Sequence, residues 1–179
     1  MSDPSTSQPP IVAILGNKKS GKTTVTVGLI AELSARGHVV MSVKHGHHFR
    51  VDHEGTDSFR HRHEGGAHRV VLAGPEGMGL FGDWGPDGEP PLRVLVDRYL
   101  ADADIVVAEG FRHESVHRIE VYRSEVHSEP ITPPDMVDPA LQLAIVTDRD
   151  DHAWPVPVIA PDRPDLSARL ADLVEPLLD

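Results

Sequence analysis

The sequence predicts an α/β fold in which a mostly parallel sheet lies between helices, and three observations predict it. First, IVAIL (11–15) has the pattern of a buried strand, and it runs through a glycine- and lysine-rich loop into a helical pattern at 22–36. A second strand pattern, HVVMSVKH (38–45), follows, and strand, helix, strand at this spacing marks a parallel sheet. Second, DIVVAEGF (104–111) is a continuous apolar run with acids at both ends, as expected of a strand covered on both faces. Third, 39% of residues are hydrophobic but only 4% are aromatic, so the core must be built from Val, Ile and Leu.

The elements can be justified in chain order. Residues 1–10 are rich in Ser, Thr and Pro and are expected to be a disordered tail. The helix at 22–36 places Val25, Leu29, Ile30 and Leu33 on one face, pairs Glu32 with Arg36 at i,i+4, and stops at Gly37. A short helix at 57–65 has Thr56 as its cap. RVVLAG (69–74) is a strand, and the Gly- and Pro-rich stretch after it allows turns around a short strand at 78–81. Pro91 opens a helix whose apolar face is Leu92, Leu95, Val96, Tyr99 and Leu100. RIEVYR (118–123) alternates and is expected at a sheet edge, 124–139 is expected to be a loop, and strands follow at 141–148 and 156–160. DLSARLADLVEPLL (165–178) closes the chain as a helix, with Pro176 fraying its end. With 179 residues and no recognisable linker, residues 11–179 are expected to form a single domain.

The loop after the first strand carries the chemistry. Gly16, Asn17, Lys18, Lys19, Ser20, Gly21, Lys22 and Thr23 match G-x-x-x-x-G-K-[ST], with Thr24 following in the helix. Glycines let successive N–H groups turn toward phosphate oxygens, and the helix start adds free N–H groups and a positive dipole end. Lys22 is then expected to reach the β- and γ-phosphates, and the Thr23 hydroxyl to coordinate Mg²⁺. The expected architecture is a three-layer P-loop NTPase with a mostly parallel sheet flanked by helices and some antiparallel edge strands. Such a site also needs a strand-end acid for the metal. Glu109 supplies it, with Gly110 allowing the turn. Lys22 and Glu109 are the candidate catalytic residues, and Thr23 and Glu109 the candidate metal ligands. Asp104, at the other end of that strand, reads as an ordinary strand-start residue. Asp148, at a strand's carboxyl end, is a candidate for reading the base, because a carboxylate can accept from the N1–H and N2 amino group of guanine, with Asp150 and Asp151 as nearby competitors and a plain acidic loop as the other open reading.

Seven of the 12 histidines (His45, His47, His48, His53, His61, His63 and His68) lie within 44–69. Metal binding, anion binding and a solvated loop are all open readings. The segment is slightly basic in a chain of formal net charge −11, and that inversion favours a phosphate-bearing ligand. The overall charge argues against a general grip on nucleic acid or an anionic membrane. Without cysteine, disulfides and thiolate metal sites are excluded. MSDPSTSQPP has neither a basic n-region nor an apolar core, so a cytoplasmic location is expected.

Taken together, GNKKSGKTT, VKHGHH, DHEGTDSFRHRHEGGAHRVVLAGPE and DIVVAEGFRHESVHRIEVYR resemble the MobB family of molybdopterin-guanine dinucleotide biosynthesis adapter proteins. The resemblance runs from about residue 11 to 123, with weaker support to LAIVTD. It implies a homodimeric GTP-binding protein with Mg²⁺ and weak GTPase activity, assisting the molybdenum cofactor guanylyltransferase rather than replacing it. Mo-molybdopterin, or its guanine dinucleotide, is the further ligand it implies. Lys44, His45, Asp57, Arg60 and His61 fall in the family's polar segment, where nucleotide or pterin contacts are expected. Some related dimeric NTPases carry a lysine directly after the first loop glycine, and here that position is Asn17. Two other readings of the residues are a histidine-rich metallochaperone GTPase and a P-loop small-molecule kinase.

Overall fold

The computed structural model describes residues 8–46, 52–149 and 153–179. In chain order its elements are β1 (Ile11–Leu15), α1 (Lys22–Ala35), β2 (Val40–Lys44), α2 (Asp57–His63), β3 (Arg69–Gly74) and β4 (Gly77–Gly82). They continue with α3 (Leu92–Tyr99), β5 (Ile105–Glu109), β6 (His117–Tyr122), β7 (Gln142–Thr147), β8 (Val158–Ile159) and α4 (Leu166–Val174), with single 3₁₀ turns at Pro134–Met136 and Glu175–Leu177. The chain divides into two compact units, one made of residues up to 45 with 91–179, the other of 46–90.

The larger unit is a six-stranded sheet in the order β2-β5-β1-β6-β7-β8, and every pairing in it is parallel. Successive β1 side chains point to opposite faces, and both faces are covered. Val12 and Ile14 pack with Leu29 and Leu33 of α1 and Leu170 and Val174 of α4. Ile11, Ala13 and Leu15 pack with Leu92 and Val96 of α3. These are the three layers the apolar strand patterns require. At the far end of α1, Arg36 binds Glu32 (2.9 Å), Asp172 (2.7 Å) and Glu175 (2.7 Å), and His38 adds a second contact to Glu175, tying α1 to α4.

Three expectations need correction. Gln8, Pro9 and Pro10, expected in a disordered tail, are tied to the fold. Gln8 donates to Asp97, the Pro9 carbonyl accepts from Arg93, and the Pro10 carbonyl accepts from Val106. The antiparallel strands are not at the edges of the main sheet; β3 and β4 pair with each other as a separate two-stranded sheet in the smaller unit. RIEVYR is not an edge strand: β6 lies inside the sheet, between β1 and β7. Its alternation suggested a wet face, yet Glu120 is fully buried. The 124–139 loop covers it, and its carboxylate accepts from the N–H groups of Ile131 (2.6 Å) and Thr132 (3.2 Å). Burial pushes the Glu120 carboxyl above its ordinary value, against these hydrogen bonds.

In the smaller unit, Thr56 caps α2 as expected, accepting from Phe59 N–H. Asp52 there accepts from Ser58 and Arg62, and Arg62 reaches on to Asp83.

Two consequences of Glu120 can be measured by urea unfolding. Glu120→Ala leaves two loop N–H groups without their acceptor and is expected to cost about 1–3 kcal/mol. Because the folded-state value lies above the ordinary 4.5, the native state holds the extra proton in that window. Stability of the wild type should therefore fall as pH rises through the window relative to Glu120→Gln, and parallel pH profiles would contradict this.

Candidate nucleotide and metal site

All six strands of the larger unit are parallel, so their carboxyl ends share one edge, and the candidate residues gather there through the register. Ile14 of β1 lies opposite Glu109 of β5, and Lys44 of β2 lies opposite the same Glu109. The glycine-rich loop leaves β1 immediately beyond this point. Gly16 has φ +150°, and a Cβ there would overlap the Val121 carbonyl and stand 2.5 Å from Ser20 Oγ. Gly21 has φ +97° and Lys19 φ +68°, so two left-handed residues curl the loop between them. The α1 start has no side-chain cap and no acid in its first turn. Its first N–H groups therefore face the loop without an internal acceptor, as an anion site requires.

Within the loop, Lys22 Nζ donates to the Asn17 carbonyl at 2.7 Å. Burial lowers the Lys22 pKa, Glu109 opposes that shift, and Lys44 adds to it. Thr23 Oγ1 donates to Glu109 Oε1 at 3.1 Å, and Lys44 Nζ donates to the same oxygen. The Glu109 side chain is 10% exposed and that of Lys44 63%. Ser20 Oγ is buried and has no hydrogen-bond partner among the described residues. Lys18, Lys19 and Thr24 are exposed around the loop. Beyond Glu109 the chain turns through two left-handed residues, Gly110 (φ +95°) and Phe111 (φ +62°). His45 N–H donates to the Glu109 carbonyl at 3.0 Å, and the His45 ring lies 5.3 Å from that of Phe111.

These residues fit a magnesium nucleotide. A Thr hydroxyl and one buried carboxylate are hard oxygen donors, and Mg²⁺ characteristically uses one or two such groups together with phosphate oxygens and water. The unpartnered Ser20 hydroxyl and the uncapped helix start are polar groups that phosphate oxygens would satisfy.

Asp148 lies just beyond β7, on the same edge. It accepts from Ser124 N–H at 2.9 Å and from Arg123 Nε at 3.4 Å. Although partial burial would raise it, these hydrogen bonds hold its carboxyl below the ordinary range. Asp104 accepts from Val39 N–H at 2.7 Å, at the opposite end of β5, which is the strand-start role expected of it. Asp57, Arg60 and His61 all lie on α2 in the smaller unit. Asp57 is in its first turn, Arg60 pairs with Glu64 at 3.0 Å, and His61 is in the last turn. His47 and His48 lie outside the described residues, and among the described residues no three metal-ligating side chains cluster. One contact had no sequence signal. His127, from the loop after β6, donates from Nε2 to the Lys18 carbonyl at 2.7 Å and so braces the phosphate loop from a position 109 residues away.

Residues 11–148 match the family described as MobB, molybdopterin guanine dinucleotide synthesis protein B. The chain belongs to the MobB family. It is 40% identical over 126 residues to the molybdopterin-guanine dinucleotide biosynthesis adapter protein of Haemophilus influenzae, with 66% of each chain covered. The matched segment is thus just under two thirds of that relative's length. It is 32% identical over 123 residues to the protein of the same description from Escherichia coli, covering 68% of this chain and 70% of that one. A crystal structure of molybdopterin-guanine biosynthesis protein B superposes with a TM-score of 0.67 at 26% identity, over 94% of this chain and 98% of the other. Bacillus subtilis MobB superposes with a TM-score of 0.66 at 23% identity, over 95% of this chain and 98% of the other, a likeness of fold. The α/β P-loop architecture read from the sequence is therefore the MobB architecture.

Gly16→Ala tests the geometry of the loop. The added methyl has no room beside Val121 and Ser20, so nucleotide affinity should drop at least about ten-fold and stability by about 1–3 kcal/mol. Fluorescent-nucleotide titration and thermal unfolding read the two effects separately.

Proposed function

We propose that this protein binds GTP with Mg²⁺ at the carboxyl edge of its parallel sheet and acts as an adapter in molybdopterin-guanine dinucleotide biosynthesis. The observation that carries the nucleotide reading is the convergence of Lys22, Thr23 and Glu109 at the end of β1 and β5. The pathway follows from membership of the MobB family. That membership does not favour the metallochaperone or kinase readings.

In this reading the N–H groups of 16–24 wrap the phosphates, with Asn17, Lys18, Lys19 and Ser20 forming the turn and Thr24 continuing it. Lys22 leaves the Asn17 carbonyl for a phosphate oxygen, exchanging a neutral acceptor for a charged one. The bound ion would be held by Thr23 and, directly or through water, by Glu109, and it supplies charge neutralisation at the phosphates. Asp148, kept ionised, reads guanine by accepting from its N1–H and N2 amino group. Hydrolysis is slow and proceeds by electrostatic stabilisation with no covalent intermediate. The protein works as a cytoplasmic homodimer beside the molybdenum cofactor guanylyltransferase. The polar segment that holds Lys44, His45, Asp57, Arg60 and His61 is where contacts to Mo-molybdopterin, its guanine dinucleotide or the nucleotide are expected from the family resemblance.

Lys22→Ala should weaken GTP binding by about 10- to 100-fold, the loss of one or two charge-assisted contacts, while the melting temperature stays near that of the wild type. Unchanged affinity would remove the loop from the function. Glu109→Gln should retain nucleotide and lose turnover, measured as phosphate release. Affinity capture of the tagged protein from native cells should recover the guanylyltransferase, and its absence under crosslinking would count against the adapter role.

A further inference from the structure

We propose that Lys44 is a resident counter-ion for Glu109, holding the place of Mg²⁺ until the metal nucleotide arrives and displaces it. The inference rests on Thr23 and Glu109 being the metal site, and it concerns what occupies that site between nucleotides.

The backbone dictates the pairing. Lys44 and Glu109 are register partners at the carboxyl ends of β2 and β5, and His45 N–H closes the ladder on the Glu109 carbonyl. With its side chain 10% exposed, Glu109 loses most of its hydration, and a buried carboxylate without a cation is strongly disfavoured. Lys44 relieves that. It does so at Oε1, the same oxygen that accepts from Thr23, so both groups suited to the metal are engaged with each other and with one ammonium.

Oε1 already accepts from both Thr23 and Lys44, so a dication ligated at that oxygen competes directly with the ammonium for a lone pair. The lone pairs are limited, and like charges at that separation repel. The ammonium on that oxygen is Lys44, and the two lysines of the site differ in how they are held. Lys22 is partly buried, latched to Asn17, and aimed along the phosphate loop. The Lys44 side chain is 63% exposed on a long flexible stem, so it returns to water at little desolvation cost. Lys44 is the displaced group. It is a positioning residue, acting through Glu109 and setting how much free Mg²⁺ the site needs.

The test titrates Mg²⁺ against protein carrying a fluorescent, non-hydrolysable GTP analogue, for wild type, Lys44→Met, Lys44→Arg, Glu109→Gln and the Glu109→Gln/Lys44→Met double variant. In Lys44→Met the half-saturating Mg²⁺ concentration should fall about five-fold, the worth of a partly exposed ion pair. Lys44→Arg should keep the wild-type Mg²⁺ requirement. If Lys44→Met proves too unstable to titrate, the Glu109→Gln background removes the buried charge, and there the added Lys44→Met change should leave the Mg²⁺ requirement unaltered. An unchanged or higher requirement in Lys44→Met overturns the proposal, as does a shift between Glu109→Gln and the double variant. Failure of the wild type to bind the analogue at any Mg²⁺ concentration would instead overturn the nucleotide reading itself.

Discussion

β1 is hydrogen-bonded in parallel on both sides, to β5 and to β6, and the rest of the structure depends on that double pairing. It makes the strand interior, so its five residues are all buried and must all be apolar. It also puts three strand ends at one level. Ile14 lies opposite Glu109, Leu15 opposite Glu120, and β5 in turn sets Lys44 against Glu109. A slip of one residue in any of these pairings would turn a carboxylate to the opposite face of the sheet and separate it from its partners.

Two buried carboxylates on neighbouring levels are treated in different ways, and the difference separates structure from chemistry. Glu120 is satisfied by backbone N–H groups of the loop that covers it, an arrangement no ligand needs to disturb. Glu109 is satisfied by two side chains instead, the Thr23 hydroxyl and the Lys44 ammonium, the latter on a largely exposed stem. The same loop that Glu120 anchors reaches the phosphate loop through His127 and meets Asp148 through Ser124. The glycine-rich loop and Asp148 are thus braced by a loop that a buried acid anchors.

The electrostatics of the edge agree with this division. In the site as it stands, Lys22 is disfavoured as a cation by burial and by Lys44, and only Glu109 offsets that. Lys44 thus stands between two charges, paired with Glu109 while it disfavours the cationic form of Lys22.

Much of this was legible in the sequence because it is local. The phosphate loop is a contiguous motif, α1 follows from its spacing of Val25, Leu29 and Leu33, and Glu109 stands at the end of a run that can only be a buried strand. The family resemblance likewise rests on contiguous stretches. What the chain alone did not reveal depends on partners distant in sequence. β6 reads as an edge strand because Glu120 is charged, and only the loop folded over it makes an interior position tolerable. Gln8 to Pro10 look disordered by composition, yet they are held by α3 and β5. His127 has no motif at all, and the Lys44–Glu109 pair joins residues 65 apart through sheet register. Sequence by itself determined the glycine-rich loop between strand and helix, the place of Glu109 at a strand end, and the strands, since periodicity and backbone chemistry act over a few residues. Tertiary structure decided which charges meet, since that is set by strand order, and strand order is a property of the whole sheet.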